Sequence, residues 1–111
     1  MLVLIMKINC LSVPGKYIKF YEKNLPGCKI NSPDYDAEIL SMFIHDIVDF
    51  KKYKNLKYLI TRSVGFNHLP LTDLRSRGIK VSYLPKYGSV TVAEFAISLM
   101  FNIVKKIKDS S

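Results

Sequence analysis

"LKYLITRSVGFNH", Leu56 to His68, decides how the rest of the chain is read. The run Leu56–Ile60 is apolar apart from one lysine and one tyrosine, is short, and is bounded by polar residues. That pattern predicts a buried strand. The strand ends in Thr61-Arg62-Ser63, and Gly65 follows almost at once. A glycine just past a strand supplies either a positive φ or a close backbone approach to a ligand. Consecutive main-chain N–H groups at such a place can also form a small anion-binding nest. From spacing alone both readings stand: Gly65 makes only a turn, or residues 61–65 hold a carboxylate with main-chain amides.

The same short apolar runs recur on both sides. Residues 2–12 read as a first strand, with Met6 as an alternative start, since "MKINCLSVP" reads as a strand opening a domain. "CKIN" (28–31) reads as the second strand, "ILSMFI" (39–44) as the third, "LKYLIT" (56–61) as the fourth and "IKVSYL" (79–84) as the fifth. Between them, "GKYIKFYEKNL" (15–25) carries Tyr17, Ile18, Tyr21 and Leu25 at helical spacing and is stopped by Pro26-Gly27. "FKKYKNL" (50–56) reads as a short helix or turn, and "LTDLRSRG" (71–78) as a short helix ended by Gly78. Alternating strands and helices predict an α/β fold, with a parallel sheet covered on both faces. Sheets of that kind bind ligands at the carboxyl ends of their strands, which is where residues 61–65 fall.

From Ser89 the pattern becomes one long helix, 89–108. Val92, Ala96, Leu99, Met100, Ile103, Val104 and Ile107 form a broad apolar face. Thr91 with Glu94 matches a capping box, though Ser89 could cap instead, and Lys105, Lys106 and Lys108 sit where the helix dipole favours cations. Residues 109–111 are a polar tail.

The chain has 111 residues, enough for one small domain, and a net charge of +8. Its lysines are scattered, with no arginine-rich arm and no zinc-ligand spacing, so the charge reads as a solvated surface and not as a nucleic-acid site. No run approaches the ~18 apolar residues of a membrane span. The apolar start precedes its lysine, the wrong order for a secretory signal. Cys10 and Cys28 are not in a C-x-x-C arrangement and read as free thiols of a cytoplasmic protein.

At residues 56–108 the chain resembles the NAD-dependent D-isomer-specific 2-hydroxyacid dehydrogenases, especially their D-lactate dehydrogenase branch. "TRSVGFNH" is similar to that family's T-R-S-x-G-F/Y-D-H-I-D motif. "GIKVSYLPKY" matches G-I-x-V-x-x-x-P-x-Y, and "SVTVAEF" stands where S-V-A-E-H opens a long helix. Residues 6–55 match more loosely. Asn67, Pro70, Gly88 and Phe95 depart from the motifs, which puts local loop structure and domain contacts in doubt more than lineage.

The resemblance implies a flavodoxin-like substrate-binding domain over 1–88. It implies that 89–108 is the interdomain-type helix leading to a Rossmann domain that this chain lacks. Val64 and Gly65 would offer backbone N–H groups to the carboxylate of a small 2-oxo or 2-hydroxy acid. Phe43 would line the pocket for the acid's side chain, and Tyr87 would approach the substrate or close the cleft; core packing and a surface aromatic are the plain alternatives for those two. Arg62 and Ser63 would support the loop. The family's catalytic arginine, glutamate and histidine and its phosphate-binding glycine loop have no counterpart here, and neither His45 nor His68 matches the catalytic histidine. The chain therefore reads as a truncated domain, inactive alone and binding no NAD(H) by itself, and as a homo-oligomer through 89–108. The other reading is a non-enzymatic interaction or dimerisation module derived from the family.

Overall fold

The computed structural model describes residues 6–43, 46–62 and 69–83, together with residues 100 and 102. Within these, five strands form one parallel sheet: β1 (Ile8–Cys10), β2 (Lys29–Ile30), β3 (Ile39–Met42), β4 (Tyr58–Thr61) and β5 (Lys80–Tyr83). Their order is β2-β1-β3-β4-β5, the flavodoxin-like arrangement. All four pairings are parallel, with Cys10 opposite Ile30 and Ser41, and Met42 opposite Thr61. Each strand is shorter than its apolar run, because ladder pairing stops where neighbouring strands end, while apolar residues continue into the loops that cover the core.

Among the described residues, two helices and two short 3-10 turns lie between the strands. The predicted helix 15–25 divides into a 3-10 turn, Gly15–Tyr17, and α1 (Ile18–Asn24). Pro14 precedes the turn and supplies no capping side chain, so the first turn tightens instead of starting as α-helix. Gly27, at φ +86°, lets the chain reverse beyond Leu25. Residues 50–52 form the second 3-10 turn, capped by the Asp49 carboxylate, which accepts from Lys51 N–H at 3.2 Å. α2 (Leu71–Ser76) ends as predicted at Gly78, whose φ is +75°.

The alternation of side chains splits the core into two layers. On one face, Ile8, Cys10, Ile39 and Ile60 pack with Tyr21 and Leu25 from α1 and with Met100. On the other, Leu40, Met42 and Leu59 pack with Tyr53, Leu56, Leu74 and Ile79. The predicted face of helix one is confirmed, since Tyr17 and Ile18 pack against the cluster that buries Tyr21 and Leu25. Of the predicted helix 89–108, residues 100 and 102 are described and both are helical, Met100 buried and Asn102 exposed. The rest of that helix lies outside the described residues.

Among the described residues four polar side chains are buried, Asn9, Ser41, Thr61 and Arg62, and Asn9 makes four hydrogen bonds. Asn9, at 0% exposure in the middle of β1, uses all of its hydrogen-bonding capacity. Its Nδ2 donates to the carbonyls of Lys29 (3.1 Å) and Ser32 (2.8 Å). Its Oδ1 accepts from Asp34 N–H (3.0 Å) and from the Tyr53 hydroxyl (2.8 Å). Asn9 thereby ties the loop between β2 and β3 to the sheet, an arrangement satisfied well enough to stay dry.

Candidate functional site

The connections decide where a crevice opens. The link from β1 to β2 runs through α1 on one face, whereas the links from β3 to β4 and from β4 to β5 place Tyr53 and Leu74 on the other. The chain therefore changes sides between β1 and β3. In open α/β sheets the carboxyl ends of two such strands splay their loops apart and leave room for a ligand.

The residues at that edge are Leu11, Ser12 and Val13 after β1, Phe43 and Asp46 after β3, and Arg62 after β4. Pairing runs one step past the strands: Leu11 N–H donates to Ser41 O and Arg62 N–H to Met42 O, each at 2.8 Å. Ser12 then takes a left-handed φ of 52°, which turns the chain out of the sheet. The Asp46 carboxylate bridges the two loops, accepting from the Ser12 hydroxyl at 2.5 Å and from Phe43 N–H at 2.7 Å. Asn31, also left-handed at φ 62°, closes the neighbouring end: its side chain accepts from Val13 N–H (2.7 Å) and donates to Val13 O (2.9 Å). These polar staples hold the rim without strand pairing.

Arg62 is the strongest charge at this edge. It is only 4% exposed, its Nη2 donates to the Leu11 carbonyl across β3, and no described group accepts from its Nε. Its guanidinium also acts on the layer below. Burial pushes the Tyr21 hydroxyl pKa up, and the nearby Arg62 charge works against that shift. The loop that Arg62 was expected to support lies outside the described residues, and neither the burial of Arg62 nor the roles of Ser12 and Asp46 were anticipated. Single polar residues within apolar or loop segments were the signal available for them.

Phe43 stands where predicted, directly after β3, and is 39% exposed. Val64, Gly65 and Tyr87 lie outside the described residues, as do Ser63, His45 and His68. The larger clefts among the described residues are elsewhere. One of about 620 Å³ lies at the amino edge, lined by Lys7, Asp36, Glu38 and Lys57, and one of about 520 Å³ lies beside α2, lined by Val48, Phe50 and Arg77. The first is a solvated rim crossed by ion pairs, Lys57–Glu38 at 3.2 Å and Lys7–Asp36 at 3.8 Å, and has no convergent buried group. Among the described residues no cluster of three or more His, Cys, Asp or Glu side chains could hold a metal, and no helix is long and apolar enough to cross a membrane.

The chain is similar to several known 2-hydroxyacid dehydrogenases and related reductases. The chain is 39% identical over 56 residues to glyoxylate reductase/hydroxypyruvate reductase of Homo sapiens, covering 50% of this chain and 17% of that protein. It is 31% identical over 76 residues to D-lactate dehydrogenase of Escherichia coli, covering 64% of this chain and 23% of that one. Among solved structures, D-lactate dehydrogenase from Aquifex aeolicus, complexed with NAD and lactic acid, superposes with a TM-score of 0.65 at 29% identity. That match covers 92% of this chain and 36% of the neighbour. The chain thus spans about a fifth of the length of these two curated relatives. The family model for the catalytic domain of the D-isomer specific 2-hydroxyacid dehydrogenases matches residues 23–105, from α1 through every later strand, and with the sheet order and the switch-point rim it places the chain in that family.

Proposed function

We propose that this chain is the substrate-binding part of an NAD-dependent D-2-hydroxyacid dehydrogenase and that its carboxyl-edge crevice takes a small 2-oxo or 2-hydroxy carboxylate such as pyruvate or D-lactate. The observation that carries the reading is the rim itself: an exposed Phe43 and a buried Arg62, from whose Nε no described group accepts, stand beside the switch point next to residues 63–65. In this reading the main-chain N–H groups of Val64 and Gly65 hold the carboxylate, and the positive field of Arg62 favours an anion there. Phe43 faces the substrate's side chain, and Tyr87 closes the cleft. Asp46 keeps the β1 and β3 loops at a fixed separation through Ser12 and Phe43 N–H.

The described residues do not fit a dinucleotide. The sequence holds no G-x-G-x-x-G, and at the turn after β1 the Val13 amide that a phosphate would need is already bonded to Asn31. In the proposal the nicotinamide, and the acid–base and carbonyl-polarising groups, come from the second, dinucleotide-binding domain that the family resemblance implies, so the substrate-binding part alone is inactive. Titrating the isotope-labelled chain with pyruvate and with D-lactate tests the proposal. Saturable amide shifts at Ser63–Gly65 are expected, and none with either acid sinks it.

A second reading, a non-enzymatic module pairing through 89–108, draws on the apolar face of that segment. Met100, which belongs to that face, packs into this chain's own core, which favours the dehydrogenase reading. Titration with pyruvate and D-lactate separates the two, since a module of this kind shows no saturable shift with either acid.

A further inference from the structure

The two cysteines come together in the core although 17 residues separate them in the chain. Cys10 is fully buried at the end of β1, and Cys28 is half-buried immediately before the edge strand β2. The register sets Cys10 opposite Ile30, and continuing it two residues back brings Cys28 level with Ile8. Ile8, Cys10, Cys28 and Ile30 therefore share one face, and all four pack in the same cluster with Tyr21 and Leu25. Both thiols are free.

We propose that Cys10 and Cys28 form a reversible oxidation site, an intramolecular disulfide installed by hydrogen peroxide that fastens the edge strand β2 to β1. The two thiols differ in the way such a site needs. The interaction between the two thiols lowers the Cys28 pKa, while the same interaction and burial push the Cys10 pKa up. The Arg62 charge acts on Cys10 in the opposite, weaker sense. Cys28, the more accessible and more acidic thiol, is the nucleophile, and Cys10 is the resolving thiol.

The step balances without any further reagent. The Cys28 thiolate attacks one peroxide oxygen, the O–O bond breaks, and the departing hydroxide takes a proton to become water, leaving Cys28 as a sulfenic acid. The Cys10 sulfur then attacks the Cys28 sulfur. An S–S bond forms, the S–O bond breaks, and the hydroxide leaves as water with the Cys10 proton. Two thiols are oxidised, and the peroxide is reduced to water.

A disulfide requires the Cα atoms to approach within about 7 Å. Any movement needed falls on Cys28. It follows Gly27, around which a Cβ would meet nothing within 4 Å, and precedes a two-residue strand that, among the described residues, pairs with β1 alone. Edge segments with so few ladder bonds open at low free-energy cost.

The test treats the native chain with hydrogen peroxide, blocks remaining thiols with a maleimide under native and then denaturing conditions, and measures intact mass. The expected product is a monomer that has lost two hydrogens, takes up no maleimide, yields a linked Cys10–Cys28 peptide on digestion, and recovers both labels after dithiothreitol. Before oxidation, Cys28 should label roughly tenfold faster than Cys10. In Cys10→Ser the remaining Cys28 should advance to the sulfinic acid, and in Cys28→Ser the remaining Cys10 should stay a thiol under the same exposure. A wild-type chain that keeps both labels, gains oxygen instead of losing hydrogen, or forms disulfides only between chains overturns the proposal, whether or not either variant folds.

Discussion

Replacing Asn9 tests the sheet's polar staple. Asn9→Ala removes four hydrogen bonds at once, to Lys29 O, Ser32 O, Asp34 N–H and the Tyr53 hydroxyl. Lys29 and Ser32 are exposed, so their carbonyls regain water and contribute little to the loss. Asp34 is half-buried and Tyr53 is 1% exposed, so these two donors bear most of the cost. A buried donor left unpaired costs about 1–3 kcal/mol, so with the lost packing of the amide the substitution should cost about 2–4 kcal/mol. Against a typical domain stability of about 5–15 kcal/mol that is a large share. Urea unfolding followed by far-ultraviolet circular dichroism would read it as a midpoint lowered on the order of 2 M.

Asn9→Asp sharpens the test. It keeps the shape and both acceptor roles, but it replaces two N–H donors with oxygen facing the Lys29 and Ser32 carbonyls and places a carboxylate at a fully buried position. At neutral pH it should be worse than alanine, and it should improve on acidification, because burial favours the protonated acid. Tyr53→Phe leaves Oδ1 still bonded to Asp34 N–H and should cost about 1 kcal/mol. The double variant with Asn9→Ala should cost less than the sum of the single losses, because the two residues share a bond. An Asn9→Ala chain within about 0.5 kcal/mol of the wild type, or an aspartate milder than alanine at pH 7, would refute the reasoning.

Three further outcomes follow from the same geometry. Burial, with the nearby Tyr35, Asp34 and Asp46, raises the Tyr53 pKa to about 12. The folded state holds that proton when the unfolded chain has lost it, so stability is complete below pH ~10 and falls by about 2–3 kcal/mol as pH rises through 12. Tyr53→Phe should flatten that decline in unfolding measured against alkaline pH, and an unchanged slope would contradict it. Asp46→Ala frees both the Ser12 hydroxyl and Phe43 N–H, so amide exchange at Phe43 should accelerate while exchange at Leu59 and Ile60 in the central strand stays slow. Gly78→Ala meets no neighbour within 4 Å but must adopt φ +75°, so it should cost about 1 kcal/mol by thermal unfolding, and a stabilised variant would count against the left-handed cap.

What the sequence by itself determined was the element order and the family. Strand and helix periodicities are local, and the five apolar runs, the stop at Pro26-Gly27 and the cap at Gly78 were legible because each depends only on residues close in the chain. The exact lengths were less legible: β1 and β2 shrank to Ile8–Cys10 and Lys29–Ile30, because a strand ends where its neighbour does, and no local signal carries that. Of the site, Phe43 was placed correctly at the end of β3, but its exposure could be known only once the turn held by Asp46 was in view. Asn9 carried no signal of its own in the sequence and is a four-bonded staple, and the burial of Arg62 and its reach to the Leu11 carbonyl show only in the structure. Cys10 and Cys28 carried no spacing signal and became neighbours through the pairing of β1 with β2. Each of these depends on partners far along the chain. Periodicity reports which face a residue takes, and the sheet order alone decides what it meets there.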